Sequence, residues 1–238
     1  MILMLYLIGL GLNLNGISQQ SLNIIGKCKK IYLEFYTVEL PYTKKEIEKL
    51  VGKEIFLANR EFVESLEMIS EAKKENIALL IYGSPLMATT HLTLLSEARK
   101  SKVQVEIIHN ASVFDAVAET GLHLYRFGKI SSIPKWEKNF TPISFVNIIK
   151  ENQQIDSHSL VLIDIGLEFQ EAIKQLLKAS DKKIEINKIF VCSRLGCKDK
   201  KIFYDKIENL ENKKIKAPFC LIIPSKLNFS EKEFMGEF

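Results

Sequence analysis

The sequence predicts an α/β fold made of two α/β domains. Short apolar runs bounded by turn residues recur along the chain, several rich in isoleucine and valine, as in strands that are buried on both faces. Helical patterns stand between many of these runs, which indicates βαβ units and a largely parallel sheet. The alternation is interrupted between about residues 111 and 158. We therefore expect a first domain at residues 1–110 and a second at residues 111–238.

The predicted strands share a short, continuous apolar run that is bounded by turn residues. They are residues 3–9, 30–35, 76–83, 103–110, 159–166, 188–193 and 219–224.

The predicted helices are residues 43–52, 60–76, 169–180 and 201–212. The first of them opens with Thr43 and Glu46 at the spacing of a capping box. The second places Phe62, Leu66 and Ile69 on one face, which is typical of an amphipathic helix packed on a sheet.

The composition is that of an ordinary globular protein, with 238 residues, 47% hydrophobic and 26% charged, and a net charge of +4. Lysines are spread along the chain, which favours solvated faces, and a weak attraction to nucleic acid or an acidic partner is the open alternative. The apolar opening run ends at Asn13, short of the ~18 apolar residues needed to span a bilayer, and it has no basic flank. We expect no membrane partner and no direct contact with nucleic acid.

The four cysteines, Cys28, Cys192, Cys197 and Cys220, are widely scattered. They form no C-x-x-C pair, and no histidine lies at zinc-finger spacing from them. Reduced cysteines packed in the core are therefore expected, and no metal site.

The stretch "GLGLNLNG" (9–16) follows the first strand and is similar to a dinucleotide fingerprint. Leu14 stands where the fingerprint needs glycine or alanine, and no acidic residue closes the second strand in the expected pattern, Glu34 being the nearest candidate. A dinucleotide site is therefore disfavoured. Gly9 and Gly11 still permit a ligand or another backbone to approach closely.

The stretch "YGSPLMATTH" (82–91) ends a buried strand in a short turn and restarts as a helix. Gly83 removes a side chain at the strand end, Pro85 rigidifies the turn, and the small residues 88–90 keep the next surface open. In an open α/β sheet, ligands bind outside the carboxyl ends of the strands. This turn is a candidate ligand site, and a plain strand–helix connection is the alternative.

The stretch "IIHNASVFDAV" (107–117) repeats that pattern. Its strand ends at His109 and Asn110, and Ser112 stands at the start of a helix that stops at Gly121. Asp115 completes an S-x-x-D capping pattern, so a helix cap is the alternative to a ligand contact.

Several of these stretches together resemble the diphthine synthase family of the tetrapyrrole-methylase superfamily. They are "MLYLIGLGL", "IYLEFYT" (31–37), "GSPLMATTH", "IIHNASVFDAVAETGLHLYRFGK" (107–129) and "LVLIDI" (160–165). The resemblance runs in the same order along nearly the whole chain and is dense to about residue 165. The stretches "GLHLYRFGK" and "ATTH" are specific to this branch of the superfamily.

The resemblance implies a cytoplasmic, homodimeric enzyme of two α/β domains with S-adenosylmethionine in the cleft between them. It implies methylation of the amino group of the 3-amino-3-carboxypropyl-histidine of translation elongation factor 2, in diphthamide biosynthesis. The archaeal product is the trimethylated diphthine, and eukaryotic enzymes add a fourth methyl as an ester. The alternatives are a tetrapyrrole or ribosomal RNA methyltransferase of the same superfamily, or a catalytically inactive ligand-binding relative.

Carried over residue by residue, the resemblance places cofactor contacts at Leu12, Ser84, Met87, Ser112, Val113, Ile163, Leu195 and Phe219. The chain has Ser84 where the family usually has aspartate, so this turn brings no charge to a cationic ligand. An insertion expected between Ile165 and the helix at 169 is missing, which puts the substrate contacts of the second domain in question.

No catalytic residue is singled out by the sequence. A neutral amine must lose a proton before it attacks, and His91 or His123 is a candidate acceptor. Asp164 is a candidate for stabilising the growing positive charge, and a role at a strand end is its alternative. No Ser–His–Asp pattern or nucleophile elbow is present.

Overall fold

The computed structural model describes residues 3–181 and 183–236. The chain forms two compact units, Met1–Phe114 and Asp115–Phe238. Each unit has its own five-stranded sheet with helices, which confirms the predicted α/β class. The sequence placed the domain boundary after residue 110, and the units divide after Phe114. Among the described helices, none has the length and apolar character needed to cross a membrane.

The sheet of the first unit is parallel throughout, as predicted, in the order β3-β2-β4-β1-β5. Its strands are β1 (Met4–Gly9), β2 (Lys30–Glu34), β3 (Phe56–Ala58), β4 (Ile77–Ile81) and β5 (Gln104–Ile108). Its helices are α1 (Gln19–Lys27), α2 (Lys44–Val51), α3 (Arg60–Glu64), α4 (Glu67–Ala72) and α5 (His91–Lys100), and α6 (Val113–Ala116) lies at the division.

The central strand β4 shows why the apolar runs are continuous. All its residues are buried, and successive side chains point to opposite faces of the sheet. Ile77, Leu79 and Ile81 join one apolar cluster, whereas Ala78 and Leu80 join another. Both faces are covered, so both sets of alternating positions must be hydrophobic.

The predicted helix over 60–76 is wrong in its middle, because α3 and α4 are separated at Ser65. The Ser65 backbone is extended (φ −80°, ψ 169°), and its hydroxyl donates to the Phe62 carbonyl at 2.8 Å. The same oxygen accepts from the Glu67 amide at 3.1 Å, so serine satisfies backbone groups at both helix ends. Leu66 is 56% exposed and leaves the predicted buried face, which Ile69 keeps.

The sheet of the second unit has the order β6-β7-β10-β8-β9. Its strands are β6 (Ser131–Ile133), β7 (Ser159–Ile163), β8 (Lys188–Ser193), β9 (Lys201–Lys206) and β10 (Phe219–Ile223). Its helices are α7 (Ser144–Gln154), α8 (Phe169–Ser180), α9 (Ile207–Leu210) and α10 (Phe229–Met235), with 3-10 turns at Val117–Thr120 and Leu124–Arg126. Strands β6 and β7 are parallel and the other neighbours antiparallel, so the prediction of a largely parallel sheet is wrong here.

The predicted helix over 201–212 is also wrong, because its first half is strand β9. Tyr204 lies opposite Phe190 in the β8–β9 hairpin, and the two rings stack with centroids 4.4 Å apart. Such cross-strand aromatic pairs stabilise antiparallel strands. The packing partner on β8 therefore decides the conformation of a segment whose own pattern is ambiguous.

None of the four cysteines, all within the described residues, forms a disulfide, and Cys28, Cys192 and Cys220 are buried as predicted, while Cys197 is half-buried. Burial raises the pKa of the Cys28 thiol to about 11, so this group stays protonated at neutral pH. Its role is packing.

Replacement of Lys53 by methionine is expected to lower the free energy of unfolding by about 1–2 kcal/mol. The Lys53 ammonium donates to the carbonyls of Ile25 at 3.2 Å, Gly26 at 2.7 Å and Cys28 at 2.7 Å, and so satisfies the end of α1. Urea unfolding followed by circular dichroism measures the change. The matched control is Lys29→Met, which removes an exposed lysine nearby; equal losses in both variants would contradict this role.

Candidate functional site

The carboxyl ends of β1, β4 and β5 meet at one edge of the first sheet, because these strands are parallel neighbours. The loops that follow them carry the predicted contacts Leu12, Ser84, Met87, Ser112 and Val113. The structure thus brings this part of the predicted site together at the edge where α/β folds bind ligands.

The first two loops are joined backbone to backbone. The Gly11 amide donates to the Gly83 carbonyl at 3.2 Å, and the Gly83 amide donates back at 3.0 Å. Both residues have positive φ, 70° and 72°, a conformation that favours glycine. The Tyr82 hydroxyl also donates to the Leu12 carbonyl at 3.2 Å. The close approach expected at Gly11 is therefore an approach of one loop to the other.

The third loop is tied to the first by Asn110, a residue whose role the sequence analysis missed. Its side-chain nitrogen donates to the carbonyls of Gly9 at 3.0 Å and Gly16 at 2.9 Å. Its side-chain oxygen accepts from the Ala111 amide at 2.8 Å. The available signal was an asparagine at the end of a predicted strand, where a short amide side chain readily binds backbone groups.

The polar side chains of this edge are hydroxyls, an amide and an imidazole rather than carboxylates, ammonium groups or guanidinium groups. The loop segments 9–12, 82–90 and 109–113 contain no Asp, Glu, Lys or Arg. Ser84 is buried, with its hydroxyl 3.5 Å from Nδ1 of His109. The Ser112 hydroxyl accepts from the Phe114 amide at 3.0 Å at the start of α6. Met87 is 49% exposed, so its side chain is accessible to a ligand.

The predicted contacts of the second unit lie at one end of its sheet. Ile163 is the last residue of β7, and Phe219 opens the antiparallel strand β10. Phe219 pairs with Ser193, and the buried Leu195 follows two residues later. Phe219 and Phe169 also make an edge-to-face contact, with ring centroids 5.8 Å apart, so Phe219 contributes to the core as well.

The candidate acid–base residues have structural partners. His91 is 1% exposed, with Nδ1 2.8 Å from the Pro85 carbonyl oxygen. Nδ1 of His123 lies 2.9 Å from the Tyr125 hydroxyl. The Asp164 carboxylate accepts from the Ile165 amide at 3.0 Å, which is the strand-end role named as its alternative. Residues 3–181 and 183–236 contain no cluster of His, Cys, Asp and Glu suited to a metal ion.

Comparison with protein families matches residues 4–211 to the tetrapyrrole (corrin/porphyrin) methylases. Diphthine synthase of Methanocaldococcus jannaschii is 40% identical over 248 residues, covering 97% of this chain and 96% of that protein. Diphthine methyl ester synthase of Schizosaccharomyces pombe is 45% identical over 170 residues, covering 70% of this chain and 60% of the relative. The match thus spans less than two thirds of the yeast protein.

Among solved structures, a crystal structure of a diphthine synthase superposes with a TM-score of 0.90. It is 33% identical in sequence, and the superposition covers 99% of this chain and 95% of that one.

Proposed function

Since this chain belongs to the tetrapyrrole methylase family, we propose that it is an S-adenosylmethionine-dependent methyltransferase that carries out the diphthine synthase reaction. The observation that carries this proposal is the 40% identity to an archaeal diphthine synthase, which extends over 97% of this chain and 96% of the relative. A match of this extent includes both units and every loop that holds a predicted contact.

The proposed acceptor is the amino group of the 3-amino-3-carboxypropyl-histidine of translation elongation factor 2. The proposed product is diphthine, which carries three methyl groups. The near full-length match to the archaeal diphthine synthase supports this product over the methyl ester, because the yeast methyl ester synthase is matched over only 60% of its length. The resemblance also supports a homodimer in the cytoplasm.

The edge of the first unit fits the cofactor by its chemistry. Leu12, Met87 and Val113 offer apolar contacts, and the hydroxyls of Ser84 and Ser112 offer hydrogen bonds. S-adenosylmethionine, when bound, supplies a methyl group activated by the sulfonium. The loops would hold this ligand and align the acceptor amine with it, which is the main requirement of an in-line displacement. No residue is assigned as the base that accepts the amine proton.

Incubation of the purified protein with S-adenosylmethionine and elongation factor 2 carrying the aminocarboxypropyl-histidine is expected to add three methyl groups to the factor. Intact-mass spectrometry measures the product, and elongation factor 2 without the aminocarboxypropyl group is the control acceptor. Addition of four methyl groups would identify the methyl ester, rather than diphthine, as the product.

No mass change would contradict the proposed acceptor. Calorimetric binding of S-adenosylmethionine without transfer would then favour a tetrapyrrole or ribosomal RNA acceptor, each of which is tested by the same mass measurement. Failure of transfer to any of these acceptors would favour an inactive relative.

A further inference from the structure

The interior of the first unit holds a carboxyl group and an imidazole in direct apposition. Glu34 ends strand β2, and His91 is the first residue of α5. Their side chains are 1% and 0% exposed, and the Glu34 Oε2 and His91 Nε2 atoms are 3.8 Å apart. Within the described part of the chain, neither of these two atoms has a hydrogen-bond partner.

The other polar atoms of the two side chains determine where the protons lie. Nδ1 of His91 is 2.8 Å from the Pro85 carbonyl oxygen, which only accepts, so Nδ1 carries a hydrogen. Oε1 of Glu34 accepts from the Thr37 amide at 3.0 Å. Nε2 and Oε2 would therefore present lone pairs to each other in a dry interior unless one of the two atoms carries a proton. That proton makes the pair an imidazolium with a carboxylate, or an imidazole with a carboxylic acid.

Tyr36 lies near this pair and interacts with the titratable groups around it. Burial and the nearby Glu34 raise the pKa of Tyr36 to about 12, so that phenol stays neutral. The Arg60 guanidinium lies 5.4 Å from the centre of the Tyr36 ring. The Glu64 carboxylate accepts from the Thr90 hydroxyl at 3.1 Å.

The imidazole contacts the turn that follows β4 at two points. Nδ1 of His91 reaches the Pro85 carbonyl and, at 2.9 Å, the Thr89 hydroxyl, so one ring nitrogen spans the loop that contains Met87. We propose that Glu34 and His91 are positioning residues, which share one proton and hold the turn over residues 83–90 in the shape that binds S-adenosylmethionine. This inference rests on the proposed function, since it assigns the cofactor to that turn.

A matched pair of substitutions at Glu34 tests the shared proton. Glu34→Gln keeps the shape, and its amide donates a hydrogen to neutral Nε2 of His91. Glu34→Leu leaves Nε2 without a partner. We expect Glu34→Leu to weaken S-adenosylmethionine binding about tenfold, because it leaves a buried polar atom with no partner, and Glu34→Gln to stay within about twofold of the wild type. Isothermal titration calorimetry gives the dissociation constants.

The kinetic signature of a positioning role is a raised KM for S-adenosylmethionine, again about tenfold in Glu34→Leu, with kcat within about twofold. Wild-type affinity in a folded Glu34→Leu variant would overturn this inference and leave the proposed function standing. Equal losses of affinity in both variants would do the same. Failure of the wild-type protein to bind S-adenosylmethionine would overturn the proposed function, and this inference with it.

Nitrogen-15 NMR of the wild-type protein tests the proton assignment without any change in the core. His91 is expected to carry hydrogen on Nδ1, with Nε2 either protonated or accepting a hydrogen bond. A spectrum with an unprotonated Nδ1 would overturn the inference. Substitution of the other histidines, one at a time, assigns the signals.

Discussion

Replacement of Gly9 by alanine is expected to weaken S-adenosylmethionine binding roughly 30-fold, the equivalent of about 2 kcal/mol. A methyl group on Gly9 would lie 2.6 Å from the Gly83 carbonyl oxygen, 3.0 Å from Cβ of Asn110 and 3.1 Å from Cδ of Pro85. The nearest of these atoms is backbone and takes part in the hydrogen bonds between Gly11 and Gly83. The loops must separate to admit the methyl group, and overpacking of this kind typically costs about 1–3 kcal/mol.

Gly26→Ala is the matched control for this substitution. Gly26 lies in α1, and a methyl group added there meets no atom outside its own helix within 4 Å. Alanine is a better helix former than glycine by about 1 kcal/mol, so this variant is expected to be slightly more stable with unchanged affinity. Calorimetry with S-adenosylmethionine compares both variants with the wild type. Wild-type affinity in Gly9→Ala would show that the spacing of these loops does not matter to cofactor binding.

The first unit was largely predictable because its local and tertiary signals agree. Continuous apolar runs with helices between them require a sheet covered on both faces, and β4 is buried along its whole length. The sequence also indicated that Gly9 and Gly11 allow close approach. It did not identify Gly83 as the partner of Gly11, because that contact depends on β4 lying beside β1 in the sheet.

The second unit was less predictable because tertiary contacts decide its conformation. Residues 201–206 carry a pattern compatible with a helix, and their pairing with β8 makes them a strand. The spacing of the strands along the chain does not predict that β10 lies between β7 and β8, antiparallel to both. The apposition of Glu34 and His91 was likewise hidden, since the two residues lie in separate elements and meet only in the fold.

Replacement of Glu231 by leucine is expected to lower the free energy of unfolding by about 3–5 kcal/mol, the typical cost of removing one partner from a buried ion pair. The Glu231 side chain is fully buried and pairs with the Arg126 guanidinium and with Nε2 of His158, the latter at 3.1 Å. It also accepts from the amides of His123 at 3.1 Å and Asn228 at 2.9 Å. Leucine removes the acceptor shared by these donors inside the second unit, and the Arg126 guanidinium keeps its bonds to the carbonyls of Asp156 and Lys226.

The same network makes stability depend on pH in a defined direction. Burial acts to raise the pKa of the Glu231 carboxyl, but hydrogen bonds from the amides of Asn228 and His123 and from His158 hold it at about 2, against 4.5 for an ordinary glutamate. Its contribution to stability is therefore complete above pH 4.5 and is lost as the pH falls towards about 2. Burial lowers the pKa of His158 from 6.5, so the folded protein, which holds this imidazole neutral, also loses stability as the pH falls.

Urea unfolding at a series of pH values checks both expectations. The wild-type protein is expected to lose stability progressively below pH 6.5 and more steeply below pH 4.5, the ordinary pKa values of histidine and glutamate. Glu231→Leu is expected to be less stable at neutral pH and to lose the steep part of this dependence. The exposed Glu233→Gln on the same helix is the control. A wild-type pH dependence in Glu231→Leu would contradict this account. The expected result would show that the stretch "GLHLYRFG" stabilises the position of α10, since His123 and Arg126 both bind Glu231.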